Sequence, residues 1–322
     1  MEEEMVMDRE EKDRLERAAK EIRKQTLDAI GFLGVGHIGG SLSIADVLAV
    51  LYFKELNVNP SDPRMPDRDR FVLSKGHAGP ALYSALALRG FFPLSMLHTL
   101  NKGGTNLPSH CDRNKTPGVD MTTGSLGQGL SAACGIAYAN RLDNRDCFTY
   151  VIVGDGESDE GQIWEAAMFA AHHGMDHLIS FTDCNKLQID GPVASILSID
   201  GSVNADGESP DDVQEDLVAK WRAFGWHCER VDGHDVEAID KAITAAKNRA
   251  EQHHRNTNQC TDEHAAGRKT AEARAKARPT MIILDTIKGK GASFCEGQVG
   301  SHNMTFDYEV AKHAIVELDA KP

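Results

Sequence analysis

Apolar residues along this chain recur with two different periods. Between residues 8 and 30, Leu15, Ala18, Ala19, Ile22, Thr26, Ala29 and Ile30 share one side of a helical repeat, and charges of both signs fill the rest. That pattern predicts an amphipathic helix with a solvated outer face. Further helices are expected over 42–53 with Ser41 as cap, over 78–89, over 126–140 and over 158–173. The 126–140 segment is dominated by small residues, which suits close packing against a sheet or a second subunit. By contrast, residues 71–73, 149–153, 178–182 and 280–285 are short apolar or β-branched runs. Such runs are the mark of strands buried on both faces of a parallel sheet. Residues 60–69 form a polar, proline-broken loop. Residues 101–123 have little periodicity, and a loop of that length in a compact domain is usually functional.

The alternation of strand and helix predicts an α/β fold, a doubly wound, mostly parallel sheet with helices on both faces. The most informative unit is the strand 149–153, the turn Gly154-Asp155-Gly156, a helix, the strand 178–182 and the turn Asp183-Cys184-Asn185. A right-handed crossover puts both turns at the carboxyl end of the sheet. Asp155 then offers a carboxylate and Asn185 an amide oxygen. With a backbone carbonyl from the second loop, at Leu187, these hard oxygens suit Mg²⁺ or Ca²⁺, the shell being completed by water and a phosphate. Gly156 would let the backbone approach that phosphate closely. Taken alone, Gly-Asp-Gly reads as a structural β-turn; the link to Asn185 thirty residues after Asp155 favours a site. Gly34-Val35-Gly36-His37-Ile38-Gly39 matches the spacing of a dinucleotide fingerprint, but it follows a helix rather than a strand, so those glycines read as a tight turn beside His37.

The net charge of −14 argues against nucleic acid or an anionic membrane surface as partner. No apolar stretch approaches a membrane span, and the acidic start, Met1 to Met5, lacks the features of a secretory signal. Seven cysteines stand singly, with no zinc spacing, which fits reduced thiols in a cytoplasmic protein; Cys184, beside Asn185, reads as a small apolar filler. Residues 200–216 carry seven acids and no base, and 247–278 are polar with mixed charge. Both read as solvated insertions in a single domain over 1–322, the second as a helical hairpin or a linker before the last strand. His253-His254 within it is a poor metal site without other ligands.

Several loops together carry a resemblance. Gly36-His37-Ile38-Gly39-Gly40-Ser41, Ser74-Lys75-Gly76-His77-Ala78, Pro108-Ser109-His110, Thr122-Thr123-Gly124-Ser125-Leu126-Gly127-Gln128-Gly129, Gly154-Asp155-Gly156 with Asn185-Lys186-Leu187, and Lys288-Gly289-Lys290-Gly291 with His302 follow in that order. The ordered set resembles transketolases, enzymes of thiamine diphosphate. The resemblance implies that Asp155, Asn185 and Leu187 hold the metal. It places Gly124, Leu126, Gly156 and Ile189 against the cofactor. It assigns His77 and His302 to the diphosphate and the reacting centre, and His37 and His110 to the substrate. The flank of His302, Ser301 and Asn303, differs from the usual His-Gly of the family. Glu160 is implied in a carboxylate network linking two active sites; the plainer reading is a carboxylate complementing a helix amino terminus. For Ile189 the plainer reading is core packing.

The implied reaction is transfer of a two-carbon ketol unit from a ketose phosphate to an aldose, as in the pentose phosphate reactions. The glutamate that activates the cofactor lies, in that family, in a second, pyrimidine-binding domain. This chain runs only twenty residues beyond His302. The expectation is therefore the amino-terminal subunit of a split transketolase, working with a pyrimidine-domain partner as a heterotetramer. Alternatives are a subunit of another thiamine enzyme, similar to deoxyxylulose-phosphate synthase or a 2-oxoacid dehydrogenase, or a non-catalytic cofactor-binding subunit. Ser-Lys-Gly-His and the 122–129 run favour transketolase over the dehydrogenase, and retention of Asp155, Asn185 and four histidines favours catalysis.

Overall fold

The doubly apolar runs become neighbours in one sheet. The computed structural model describes residues 7–193, 213–258 and 277–320. Its strands are β1 (Val35–Gly36), β2 (Arg70–Leu73), β3 (Thr149–Gly154), β4 (Leu178–Cys184), β5 (His227–Asp232), β6 (Thr280–Asp285) and β7 (Met304–Thr305). The main sheet runs β2-β3-β4-β6-β5 with every pairing parallel. Outside it, β1 pairs antiparallel with β7 and ties the 35–37 loop to the chain beyond β6.

Each central strand feeds two cores by simple alternation. Phe71, Leu73, Tyr150, Ile152, Ile179, Phe181, Ile282 and Leu284 point into one core. Helices α1 (Arg9–Leu33), α2 (Gly39–Leu42), α3 (Ala45–Val50), α4 (Gly79–Arg89), α8 (Val236–Asn258) and α9 (Tyr308–Ala320) close it. Val72, Val151, Val153, Leu178, Met281 and Ile283 point the other way, under α5 (Gln128–Leu142), α6 (Gly161–His172) and α7 (Val213–Ala223). The expected doubly wound α/β architecture is therefore present, with a wholly parallel main sheet. Asp8 caps α1, accepting from the Glu11 amide at 2.8 Å. Gly34, at φ +88°, ends that helix in the left-handed region and turns the chain toward His37.

Several boundaries differ from expectation. Ser41 is no cap: it lies inside α2, and its hydroxyl donates to the His37 carbonyl at 2.6 Å. The helix expected over 42–53 is broken at Ser43 and Ile44, where the Ile44 backbone leaves the helical region at φ −99° and ψ 9°, and the Ser43 hydroxyl beside the break donates to the Asp183 carboxylate at 2.7 Å. It resumes as α3 and widens into a π-type turn over Leu51–Glu55. The helix expected from 158 begins at Gly161, after a tight 3-10 turn at Gly156–Asp159. Residues 247–258 continue helix α8 to its end at Asn258. Residues 200–212 and 259–276 lie outside the described residues. Among the described residues no helix is long and apolar enough to cross a membrane.

Candidate active site

The register of β3 on β4 sets Gly154 beside Asp183, so the two predicted turns meet at the carboxyl edge of the sheet. Asp155 is 2% exposed. Its Oδ1 accepts from the Gly156 amide at 2.8 Å and its Oδ2 from the Lys186 amide at 2.5 Å. Burial, helped by the neighbouring Asp183 carboxylate, pushes the Asp155 carboxyl up to about 7. Asn185 donates its Nδ2 to Asp183 at 2.9 Å, which fixes the amide and leaves Oδ1 as its acceptor. The Leu187 carbonyl accepts from Lys288 Nζ at 3.0 Å and keeps its second lone pair. One buried carboxylate that carries only backbone donors, one amide oxygen and one carbonyl are a hard-oxygen set that fits a divalent cation shared with a phosphate. Among the described residues no group of three His, Cys, Asp or Glu side chains forms a metal site, so a protein cage is absent there.

Beneath these loops lies a charge network that the sequence motifs do not disclose. Asp183, fully buried, accepts from Lys75, Ser43, Thr286 and Asn185. Burial pushes its carboxyl up, but the Lys75 ammonium and these hydrogen bonds outweigh that and hold it below the usual range. Lys75 Nζ also donates to the Gly40 carbonyl at 2.8 Å, reaching the loop of His37. Glu157, 3% exposed, accepts from the Ser74 hydroxyl, from the Gly127 amide at 2.9 Å and from the Gly154 amide at 3.0 Å. It joins three loops that the motifs had marked separately. Lys288 donates to the Leu187 and Gln188 carbonyls, and burial brings its ammonium down to about 8. Its loop is held by His234: the Ile287 amide donates to Nε2 at 2.9 Å, so Nδ1 carries the proton and donates to Asp46 at 2.8 Å. Arg23 grips the same Asp46 carboxylate with both terminal nitrogens.

The four histidines come together as expected. His37 stands 5.3 Å from His77, 5.6 Å from His110 and 5.5 Å from His302, centroid to centroid, and His77 stands 4.9 Å from His302. Burial, with His110 nearby, lowers His37 to about 4. Burial and the cations Lys288 and Lys75 lower His302 to about 4. Burial, then Lys75 and the other imidazoles, lower His77 well below its usual value, and burial lowers His110. At neutral pH the cluster is uncharged.

A cleft of about 360 Å³ opens above the loops and is lined by His77, Leu126, Asp155, Gly156, Glu160, Asn185, Leu187, Ile189 and His302, with Lys75, Glu157 and Lys288. His37, His110 and Gly124 are not among the residues that line it, but His37 packs beside the lining His77 and His302 and His110 is exposed next to His37; Gly124, at φ +144°, leaves room that a Cβ would take from His110, 3.0 Å away. A Cβ on Gly156 would fall 2.7 Å from the Cβ of Gln188, so this glycine lets the two loops close on each other. Ile189 is 68% exposed, which overturns core packing and leaves an apolar rim to the cleft. Glu160 occupies the cap position of α6 rather than its first turn, and its exposed side chain makes no capping hydrogen bond. Cys184 is fully buried and burial raises its thiol well above the usual value, as befits an inert filler.

The family described as transketolase, thiamine diphosphate binding domain, matches residues 15–257. The chain is 52% identical over 305 residues to a 6-deoxy-6-sulfo-D-fructose transketolase subunit of Clostridium sp. (strain MSTE9), covering 95% of this chain and 96% of that one. It is 33% identical to one of the subunits of the apulose-4-phosphate transketolase of Phocaeicola vulgatus, covering 95% and 94%. Among solved structures, a transketolase from Pichia stipitis superposes with a TM-score of 0.75 at 30% identity, covering 95% of this chain and 40% of that enzyme. The chain thus spans less than half the length of that enzyme, while it covers both bacterial relatives nearly end to end. It belongs to the transketolase family, in the part of that family that binds thiamine diphosphate.

Proposed function

We propose that this chain is the diphosphate-binding subunit of a split transketolase, moving a two-carbon ketol unit from a ketose to an aldose. The observation that carries the reading is the oxygen set of buried Asp155, buried Asn185 and half-buried Leu187, braced from below by Lys75 and Asp183 and accompanied by four clustered histidines. Asp155, Asn185 and the Leu187 carbonyl would hold Mg²⁺ (or Ca²⁺) against the diphosphate, with Lys288 adding positive charge beside it. When bound, thiamine diphosphate supplies the nucleophilic carbon and electron sink for breaking and making the ketol bond. His77 and His302, neutral near pH 7, each offer one N–H and one lone pair and so pass a proton to or from a substrate oxygen without storing charge. His37 and His110, beside the lining histidines, would bind substrate hydroxyls. Ile189 and Leu126 would shield the cofactor ring. Glu160, exposed on the rim and without a capping hydrogen bond to its own helix, would meet a second subunit.

The partner is a pyrimidine-domain chain that supplies the activating glutamate, two copies of each making a heterotetramer in the cytoplasm. Six free, buried cysteines among the described residues are in keeping with a reducing compartment. The substrate is an anionic ketose, a sugar phosphate or, given the similarity to a sulfofructose transketolase subunit, its sulfonate counterpart. The test is to assay the purified chain alone and with the pyrimidine-domain chain, at saturating Mg²⁺ and thiamine diphosphate, using fructose 6-phosphate and 6-deoxy-6-sulfofructose as donors. Activity is expected only in the mixture. Turnover by the chain alone would refute the split arrangement, and a mixture that binds the cofactor but transfers from neither donor would refute the reaction.

A further inference from the structure

We propose that a second cleft, lined in part by residues 113–120 of the loop that carries His110, is a binding site for a small phosphate-class oxyanion. The cleft has a volume of about 840 Å³, larger than that of the catalytic cleft, and Arg64, Arg68, Arg70, Arg113 and Lys115 all line it. This is a concentration of cations on a chain whose net charge is −14.

Their partners show how much of that charge is left over. Arg68 forks onto Asp120, which also accepts from the Phe71 amide at 2.9 Å, so this acid is spent on the fold. The Arg68 Nε–H remains buried without a hydrogen-bond partner. Arg70 donates only to backbone carbonyls, those of Met65, Pro66, Arg68 and Asp69. Arg64, Arg113 and Lys115 are exposed, and among the described residues their side chains have no hydrogen bond or ion pair. Asp62 is the other acid on the lining, so the unpaired cations outnumber it. Burial and the neighbouring Arg68 lower the affinity of Arg70 for its proton, which is what crowded cations in a concave wall produce.

Cations gathered in a cleft with low-dielectric walls focus their field and concentrate anions there. Guanidinium groups present paired donors that match a tetrahedral oxyanion, and the cleft is of the size that holds a small ligand. A phosphate ester is favoured over a nucleic acid, which the acidity of the chain as a whole repels. The site shares no lining residue with the catalytic cleft, so it stands apart from the transketolase reading.

The test is calorimetric titration of the full chain with inorganic phosphate at constant ionic strength, chloride compensating. The triple variant Arg64→Gln/Arg113→Gln/Lys115→Gln should bind at least tenfold more weakly, and Arg113→Gln alone should show an intermediate loss. All three residues are exposed, so folding should be unchanged by circular dichroism. Lys288→Met, in the catalytic cleft, should leave this binding event in place. The proposal is overturned if the triple variant binds as the wild type does, if Lys288→Met alone removes the binding, or if the heat never saturates. It is equally overturned if the triple variant loses the pyrimidine-domain partner while keeping phosphate, since the cleft would then be a protein contact.

Discussion

Replacing Lys75 by methionine should destabilise the protein by about 4 kcal/mol. Lys75 is 2% exposed and Asp183 is fully buried. Removing one partner of such a pair leaves a charge without compensation, which typically costs about 3–5 kcal/mol. Asp183 keeps three neutral donors in the variant, from Ser43, Thr286 and Asn185, so the lower figure, about 3 kcal/mol, applies to the pair. The Gly40 carbonyl loses its donor as well, adding about 1 kcal/mol. At about 2 °C per kcal/mol for a chain of this length, the melting temperature should fall by about 8 °C. Thermal unfolding followed by circular dichroism, without ligands, measures this directly. The double variant Lys75→Met/Asp183→Asn removes both charges and should recover about half of the loss, because an amide at 183 still accepts hydrogen bonds without an orphan charge. A fall of less than about 2 °C in the single variant, or strictly additive losses in the double, would refute the argument that this pair is coupled and essential.

Three other outcomes are expected. Asp155→Ala should abolish Mg²⁺-dependent binding of thiamine diphosphate while the fold survives; calorimetry on the reconstituted complex checks it, and unchanged affinity would remove Asp155 from the metal site. His77→Ala and His302→Ala should lower kcat at least tenfold with little change in KM, whereas His37→Ala and His110→Ala should also raise KM; full activity of a His77/His302 double variant would be decisive against their role. His37 and His302 both lie at about 4 when folded, against about 6.5 unfolded, so the unfolded chain binds more protons between those values. The contribution of these two histidines to stability should therefore be level above about pH 6.5 and fall as pH drops toward about 4, against the opposite contribution of Asp155, whose carboxyl is raised to about 7, so His37→Gln should lose less stability than the wild type between neutral and mildly acidic pH in melting curves; an identical pH dependence would contradict it.

The parts of this molecule that are legible in the sequence are those whose signal is local. The strands β3 and β6 are apolar at every central position because both faces are buried, and β-branched residues and flanking turns separate them from the equally apolar helical run Val47–Phe53. Strand β5, by contrast, lies at the sheet edge and alternates buried Cys228 with exposed or half-exposed polar neighbours, so its composition reads as loop. Helix α8 escapes notice for a similar reason: its outer face is highly charged and runs straight into residues 259–276, blurring a boundary that only Ile239, Ala242, Ile243 and Ala246 define. The metal-ligand pair is legible because a crossover of known hand and length brings Asp155 to Asn185. Lys75, Glu157 and Asp183 stand in or beside the same motifs, yet a charged residue in a turn looks solvated until the fold supplies Ser43, Ser74, Gly127 and Thr286 as partners. Glu160 shows the opposite error, a helix start read three residues early because the intervening 3-10 turn has the same composition as a first helical turn.

The Asp183 carboxylate has a bearing on the order in which the chain folds. Its partners Ser43, Lys75 and Thr286 lie 140, 108 and 103 residues away along the chain. A nascent polypeptide ending before β6 has made β2, β3 and β4 yet lacks Thr286 and Lys288, so its cofactor loops are still unanchored. The site is therefore among the last features to close, after the loop-closure entropy of most of the chain has been met. Once closed, it opens only with the sheet itself. The Gly156 and Lys186 amides, which donate to Asp155, should exchange with solvent as slowly as the amides at the centre of β3, although both belong to loops. A loop with the exchange rate of a core strand is a rigid template, met by an incoming diphosphate without the entropic penalty of ordering it.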